Sequence, residues 1–504
     1  MNDTLEAMML QDQERTDVNL IPRPQTDDDI PLSRTTSHSS EESDTANFHG
    51  VINAINFDAL ASVALQARLA CGTQCSQSKS QQELSIEIQR PPWTGSNNLV
   101  YGIEFSDGIK WVARIPGNGI DSFDSLEVSH FQNRIHVSRF LRLATSIPIP
   151  EIFTWSSDCK NSVGVPYTLE SFAEGRLLSE AWIDNAWSSE EKRIRTLRNL
   201  ARVMSELHGF SFDKIGSLAP DLKVGPDVYM AFDQDKLLAG EDLFGHAQKR
   251  GPFNSAMDDL LEGFEEPEAV DGQLNQLHGE HALLSLALHS LPSLLHLNGP
   301  FALGHPDFNY QNIFVDVEGN ITAIIDWDGT CITTRALAFA RYPSWITRDW
   351  DPVMYQYGGE YDDHTDEGLR EEDSPAQLLR YRQEYASALA EMGMPPSKYM
   401  PEDTLLSPII EAINIAQGQS INRPWILMWL LYWAFDGIPP ISLNKFCQKY
   451  ERGEAHDWID LVKEAFSRMW HGEERDVHEY EKRYLRFRQW MMSYPDSVVV
   501  TSCS

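Results

Sequence analysis

Cysteine is scarce in this chain, with 6 residues in 504. Cys71 and Cys75 are close in sequence, but no second pair of Cys or His completes a zinc-binding pattern. Scattered thiols are typical of a reducing compartment, where disulfides are rare. The sequence therefore predicts neither a disulfide framework nor a structural zinc site.

Long apolar runs are also missing. The longest covers residues 425–435 between Pro424 and Asp436, whereas a membrane-spanning helix needs about 20 apolar residues. We expect this run to form a buried core helix. The N-terminus has no apolar signal core and is rich in acids, which disfavours secretion and mitochondrial import. These absences predict a cytoplasmic protein with no membrane partner.

Positive charge is in short supply. The chain has 41 Lys and Arg against 75 Asp and Glu, which gives a net charge of -34. Such a surface repels phosphate backbones and anionic lipids, so nucleic acid and membrane partners are not expected. It would attract a cationic small molecule, although the simpler interpretation is that the charge serves solubility.

The composition changes along the chain and predicts two lobes between two tails. Residues 1–48 are acidic and poor in aromatics, which is typical of a disordered segment. The next part is rich in strand patterns, including a hairpin at 99–115 around the turn Ser106-Asp-Gly108. Helical spacing dominates the rest. We predict an α+β fold with a small β-rich N-terminal lobe at 49–172, a large helical C-terminal lobe at 173–495 and a tail at 496–504.

The most informative segment is 304–328, which reads Gly-His-Pro-Asp-Phe-Asn-Tyr-Gln-Asn-Ile-Phe-Val-Asp-Val-Glu-Gly-Asn-Ile-Thr-Ala-Ile-Ile-Asp-Trp-Asp. Two short apolar strands flank a turn at Gly319. Asn312 and Asp326 are each seven residues from that glycine, so we expect them opposite each other at the open end of the hairpin. Asp307 belongs to the loop that enters this end.

Two carboxylates and a carboxamide in one place suit phosphoryl transfer. Their oxygens are ligands of the kind that Mg²⁺ takes, and a carboxylate can accept the proton of the attacking hydroxyl. The spacing His-x-Asp-x-x-x-x-Asn, followed by Asp on the next strand, matches a kinase catalytic loop. The competing interpretation is an ordinary surface hairpin with polar residues at its open end.

These residues resemble the aminoglycoside phosphotransferase family, which has a protein-kinase-like fold and in which this motif is followed by Ile-Asp-Trp. The chain is most similar to the divergent fungal members of that family. Further stretches that resemble the family are 111–116, 145–152, 167–175, 200–208 and 212–216.

The resemblance implies a phosphotransferase with an alcohol group as acceptor, which uses ATP and Mg²⁺ and acts on a small hydroxylated molecule. Asp307 would be the catalytic base, His305 would brace its loop, and Asn312 and Asp326 would hold the metal. The residues implied for the nucleotide are Arg114 for the phosphates, with Lys110 as the alternative cation, Gly95, Ser96 and Asn98 as the covering turn, and Leu169, Glu170 and Phe172 as the hinge that meets adenine.

Three features depart from the family pattern. Arg114 stands where kinases carry Lys, Arg134 occupies the helix position of the Glu that usually pairs with that Lys, and the covering turn has one glycine. They favour an alternative function, a pseudokinase-like regulatory module that binds nucleotide without turnover. Asp328 adds a third acid near the metal position, for which we expect a supporting role. Choline-like, sugar and aminoglycoside hydroxyls all remain open as acceptors, as does GTP in place of ATP.

Overall fold

The structure is a computed structural model. It describes residues 45–72, 84–120, 123–231, 246–262, 274–291, 298–353, 355, 357, 372–392, 400–418, 422–470 and 476–493. Most of the predicted acidic tail and all of the predicted C-terminal tail lie outside these ranges.

An antiparallel sheet forms the N-terminal lobe. Its strands are β1 (Ile86–Ile88), β2 (Trp93–Thr94), β3 (Asn98–Phe105), β4 (Lys110–Pro116), β5 (Ile152–Ser156) and β6 (Tyr167–Ser171). They lie in the order β1-β3-β4-β6-β5, and β2 pairs with β3. The hairpin of β3 and β4 confirms the sequence prediction. Alternate side chains of these two strands are buried, because one face packs on helices α1 (His49–Ala54) and α2 (Phe57–Gly72). The opposite face carries Arg114.

Helix α3 (Ser125–Ala144) follows the β3–β4 hairpin in sequence. It begins at Ser125, because Asp124 caps it. The Asp124 carboxylate accepts from the backbone N–H of Leu126 and Glu127, and Glu127 accepts from the Asp124 N–H in return. This capping box uses Glu127, the nearest acid upstream of Arg134.

The C-terminal lobe contains more β-structure than the sequence predicted. Its strands are β7 (Arg176–Leu177), β8 (Ser217–Leu218), β9 (Val224–Gly225), β10 (Asp227–Ala231), β11 (His246–Arg250), β12 (Ala302–Gly304), β13 (Ile313–Val315), β14 (Ile321–Ile324) and β15 (Cys331–Thr333). The hairpin of β10 and β11 was not predicted, because β11 reads His-Ala-Gln-Lys-Arg and lacks the apolar alternation of a half-buried strand. This hairpin lies against α3.

Helices make up most of the C-terminal lobe. They are α4 (Leu178–Ile183), α5 (Glu190–Ser205), α6 (Ala256–Glu262), α7 (Leu274–His289), α8 (Pro375–Glu391), α9 (Met400–Gly418), α10 (Arg423–Ala434), α11 (Leu443–Glu451), α12 (His456–Met469) and α13 (Val477–Met492). The apolar run 425–435 falls in α10, where nearly every side chain is buried. The core helix predicted there is confirmed.

The chain passes between the lobes through a tight turn at Gly175. Its φ is +105°, and an added Cβ would lie 2.6 Å from the carbonyl oxygen of Val315. Only glycine avoids both the left-handed strain and this contact. An antiparallel N-terminal sheet followed by a mainly helical lobe is a kinase-like α+β architecture, as the sequence predicted. The boundary between residues 172 and 173 stays a prediction.

Candidate active site

The hairpin of β13 and β14 brings the motif residues to one end, with a register that differs by one residue from the prediction. The N–H of Ile325 donates to the carbonyl of Asn312 at 2.9 Å, so Asn312 faces Ile325 and not Asp326. The turn is centred on Glu318 and not on Gly319, because Val315 pairs with Ile321. A bulge at Thr322 shifts the next pair by one residue, so that Phe314 pairs with Ala323. Asp326 therefore lies one residue beyond the paired end.

Asp326 has an unusual backbone, with a φ of +64°. This left-handed conformation is uncommon for residues other than glycine, although Asp tolerates it better than most. It turns the chain sharply where β14 ends.

Asp307 is held by two amide side chains. Its Oδ2 accepts from Nε2 of Gln311 and from Nδ2 of Asn312, each at 2.9 Å, and Asn312 also donates to the Asp307 carbonyl at 2.9 Å. Among the described residues, Asp307 Oδ1 has no such donor. One carboxylate oxygen is therefore fixed, while the other can accept a proton from a bound molecule.

His305 connects the loop before β13 to the end of β14. Its Nε2 lies 2.8 Å from the carbonyl of Ile325, which acts as acceptor, and its ring packs on Trp327. Burial lowers the pKa of His305, so the ring is neutral near pH 7 and donates from Nε2. It braces the residue that precedes Asp326.

Arg114 meets two carboxylates. Its Nη2 lies 2.6 Å from Oδ1 of Asp326 and 2.8 Å from Oδ2 of Asp328. Burial alone would lower the pKa of Arg114, but Asp328, Asp326 and Glu170 outweigh this effect and raise it. Burial alone would raise the pKa of Asp326, yet Arg114 keeps it low. Arg114 is thus a permanent cation beside the predicted metal position.

Arg134 and Glu170 form a second, more deeply buried pair. Nη1 of Arg134 contacts Oε1 of Glu170 at 2.8 Å, and Nη2 donates to Oγ1 of Thr168 at 2.8 Å. Despite its burial, the pKa of Glu170 is lowered, chiefly by Arg134. Arg134 also reaches Asp328, whose Oδ1 lies 2.9 Å from its Nε. Kinase-like proteins usually carry a carboxylate at this position of the helix, whereas helix α3 carries the cation Arg134.

The two candidate phosphate-binding cations lie at different ends of β4. Lys110 is on the same strand face as Arg114, but four residues of strand separate them by about 13 Å. Lys110 faces Glu104 at 3.9 Å, and its carbonyl accepts from the Phe172 N–H near the hinge. Only Arg114 is brought to Asp326.

The predicted nucleotide-covering turn is a short connection that closes onto β3. The N–H of Gly95 donates to the Asn98 carbonyl at 2.9 Å, with Ser96 between them. An added Cβ at Gly95 would meet that carbonyl oxygen at an ordinary 3.7 Å. The protein itself therefore does not require glycine at position 95.

The hinge prediction needs a correction in position. Leu169 and Glu170 lie inside β6, with β4 paired on one side and β5 on the other, and the Glu170 side chain is committed to Arg134. Their backbone groups belong to the sheet ladder. Phe172 stands just after β6, and its ring lies 6.3 Å from that of Trp93. Backbone groups for a base would come from Phe172 onward.

A cavity of about 330 Å³ opens beside the loop 305–312. It is lined by residues of that loop, of the segment 344–351 and of helix α9: these include Tyr310, Gln311, Trp345, Trp350, Asp351 and Glu411. The loop is tied to this wall because the Ser344 N–H donates to the Phe308 carbonyl at 2.9 Å. The sequence analysis did not identify these lining residues, because they come from separate parts of the helical lobe.

The oxygen atoms left over at the hairpin end suit a hard cation. Asn312 uses its amide nitrogen for both hydrogen bonds to Asp307, so its Oδ1 is not engaged by the described residues. Asp326 Oδ1 accepts a hydrogen bond from Arg114. Its other oxygen, Oδ2, has no hydrogen-bond partner within the described ranges. A carboxamide and a carboxylate oxygen are the donors that Mg²⁺ takes alongside phosphate oxygens and water.

Comparison with known proteins gives a family match and several relatives. The family described as "Phosphotransferase enzyme family" matches residues 88–386. Proteins named "Altered inheritance of mitochondria protein 9, mitochondrial" from several organisms are similar to this chain. The Candida tropicalis protein is 30% identical over 127 residues, which cover 25% of this chain and 20% of the relative. The Eremothecium gossypii protein is 21% identical over 333 residues, which cover 55% and 53%. The chain thus spans about half or less of these relatives.

Among solved structures, one similar chain is a thermostable mutant of aminoglycoside phosphotransferase APH(4)-Ia in a ternary complex with AMP-PNP and hygromycin B. It is 14% identical, the match covers 76% of this chain and 94% of that one, and the TM-score is 0.37. That relative binds an ATP analogue and a small-molecule substrate.

The predicted cytoplasmic location is wrong on this comparison, because the fungal relatives bear names that place them in mitochondria. Within the described ranges, no helix is long and apolar enough to cross a bilayer.

Proposed function

The chain belongs to the phosphotransferase enzyme family, and we propose that it transfers the γ-phosphoryl group of ATP to a hydroxyl of a small molecule. The observation that carries this proposal is the convergence of Asp307, Asn312 and Asp326 at one hairpin end, with Arg114 against Asp326. A base, two metal-type oxygen donors and a fixed cation are the groups that phosphoryl transfer needs.

In this proposal Asp307 orients the acceptor. Its Oδ1 accepts the hydroxyl proton while the acceptor oxygen forms a bond to the γ-phosphorus and the bond to the β–γ bridging oxygen breaks, which releases ADP. Gln311 and Asn312 hold the other carboxylate oxygen and fix the direction of the first. When Mg²⁺ is bound, it neutralises charge on the β- and γ-phosphates, and Asn312 Oδ1 and Asp326 Oδ2 would hold it.

The cavity beside the loop is the proposed acceptor site. Its volume is near the lower end of the range for small-molecule pockets, which favours a compact acceptor. The ring of Tyr310 is partly exposed at the cavity and stacks on the buried Trp345. Asp351 and Arg348 add one charge of each sign to the lining, and the Glu411 carboxylate is paired with Arg341. We therefore propose a small hydroxylated acceptor, and the net charge of -34 places cationic compounds among the first to test.

One observation supports the alternative of a nucleotide-binding module without turnover. In this structure Arg114 contacts the carboxylate proposed for the metal, so the metal and the arginine compete for Asp326. Under this alternative MgATP would bind, but no phosphoryl group would be transferred.

ADP formation tests the proposed function directly. The full-length protein is incubated with MgATP and, separately, with amino alcohols, monosaccharides and aminoglycosides at millimolar concentration. At least one class is expected to raise ADP formation at least tenfold above the rate in water, because a bound hydroxyl competes with solvent at Asp307. MgATP binding without acceptor-dependent ADP formation across all classes would favour the regulatory module.

The two cations of β4 provide a matched pair of variants. Arg114→Met is expected to weaken MgATP binding by about tenfold or more, the size of a lost charge-assisted hydrogen bond. Lys110→Met should change MgATP binding by less than about threefold, since Lys110 lies at the hinge end of β4. Its carboxylate partner, Glu104, is 3.9 Å away, so little is lost with that contact. Isothermal titration of both variants with MgATP shows which substitution weakens binding more. A larger loss for Lys110→Met would show that the phosphates bind elsewhere on the strand.

A further inference from the structure

The phosphate-facing arginine lacks the usual partner on helix α3. Kinase-like enzymes pair the strand cation with a helix carboxylate, and activity depends on that ion pair. Within α3 the one acid is Glu127, and its Oε2 accepts from the Asp124 backbone in the capping box. Helix α3 therefore has no carboxylate for Arg114, and a different residue must fix its orientation.

Asp328 lies between Arg114 and Arg134. Its Oδ2 is 2.8 Å from Nη2 of Arg114, and its Oδ1 is 2.9 Å from Nε of Arg134. Arg134 is in turn fixed by Glu170 and Thr168 on β6. The side chains of Arg134 and Glu170 are 6% and 11% exposed, so solvent screens these contacts weakly. A continuous set of ion pairs thus joins Glu170 of β6, Arg134 of helix α3, Asp328 and Arg114.

Asp326 cannot serve both the metal and Arg114 equally well. Its Oδ1 is engaged by Arg114, and a bound cation would draw the same carboxylate toward itself. If Asp326 were the one anchor of Arg114, metal binding would loosen the arginine. The second carboxylate removes this conflict, because Asp328 can hold Nη2 while Asp326 turns to the metal. All side-chain hydrogen bonds of Arg114 among the described residues come from Nη2, which leaves Nη1 and Nε for phosphate oxygens.

We propose that Asp328 is a positioning residue that replaces the missing helix carboxylate: it holds Arg114 in the phosphate-binding orientation and leaves Asp326 to the metal. This inference rests on the proposed function, since it assigns a support to the same nucleotide site. The Arg134 guanidinium lies against Asp328 Oδ1 as an ion pair without a hydrogen bond. The cation on helix α3 thus attracts the carboxylate that holds Arg114.

Asp328→Asn tests the proposal through nucleotide binding. It keeps the size of the side chain but removes its charge. We expect the dissociation constant for MgATP to rise about tenfold and the Mg²⁺ concentration for half-maximal binding to rise as well, because Arg114 then pairs with Asp326 alone. Glu318→Gln, which removes one charge at the exposed turn of the same hairpin, should leave both values unchanged.

A double-mutant cycle separates positioning from a general structural effect. In the Arg114→Met background, Asp328→Asn should weaken MgATP binding by less than about threefold, because the residue through which it acts is already gone. Equal losses in both backgrounds, or no loss in the wild-type background, would overturn the proposal. Should Asp328→Asn fail to fold, Asp328→Glu is measured instead. It keeps the charge but moves the carboxylate by one methylene, so an unchanged dissociation constant for MgATP would also overturn the proposal.

The same titrations distinguish this inference from the proposed function. If the wild-type protein binds no MgATP, the nucleotide site itself is refuted. If the wild type binds MgATP and Asp328→Asn binds it equally well, the site stands and the role of Asp328 is refuted.

Discussion

Asp307→Asn is expected to retain the fold and MgATP affinity while phosphoryl transfer falls by about a hundredfold or more. Proton removal by a positioned base typically contributes 10²–10⁴-fold to rate. The substitution keeps the size of the side chain, and an amide oxygen can still accept from Gln311 and Asn312, which hold Asp307 now. The loss should therefore appear in kcat, with little change in the KM for ATP.

Gln311→Ala is a suitable companion variant. It removes one of the two amide donors to Asp307 Oδ2 but leaves the base itself. A loss of activity much smaller than that of Asp307→Asn is expected, because Asn312 still holds the carboxylate. Equal ADP formation by the wild type and Asp307→Asn would mean that the base lies elsewhere.

MgATP is expected to stabilise the wild-type protein by about 4 kcal/mol at a thousandfold excess over its dissociation constant. The reason is that the ligand binds the folded state through Arg114, Asn312 and Asp326 and has no such site in the unfolded chain. A thermal-shift titration measures this effect as a rise in melting temperature. Most of the rise should disappear when EDTA removes Mg²⁺, since the metal then no longer links the phosphates to Asn312 and Asp326.

Asp326→Asn is expected to abolish most of the Mg²⁺-dependent part of that shift. The variant loses the charge proposed to bind the metal and leaves Arg114 with Asp328 as its remaining carboxylate partner. The melting temperature without ligand serves as the control for folding. A melting temperature of the wild type that does not respond to MgATP would refute the nucleotide site.

Local sequence was enough to predict the hairpin of β13 and β14 and the loop that enters it. The spacing from His305 to Asn312 and the apolar strands on both sides of Gly319 are contained in one stretch of 25 residues. The one-residue error in register arose because the turn is centred on Glu318 and not on Gly319, and a bulge at Thr322 corrects only part of that offset. The Thr322 hydroxyl makes a distant contact, since it donates to the Glu174 carbonyl in the turn between the lobes. No local pattern encodes that contact.

The ion pairs around Arg114 could not be read from sequence because they join residues far apart in the chain. Arg114 and Asp328 are 214 positions apart, and Arg134 was interpreted as a missing Glu, not as a cation with its own acidic partners. The signal that the sequence does contain is Asp328, the acid two residues after Asp326, which predicts a supporting group. Its two partners became clear only when β4, α3 and the hairpin were seen together.

Transfer of label from γ-labelled ATP into a small-molecule product is the most direct test of the central claim. The wild-type protein and Asp307→Asn are incubated with labelled ATP, Mg²⁺ and a mixture of hydroxylated small molecules, and the products are separated. The proposed function predicts a labelled phosphate ester with the wild type and at least a hundredfold less with Asp307→Asn. Label that stays in ATP with the wild type, under conditions where MgATP is bound, would contradict it.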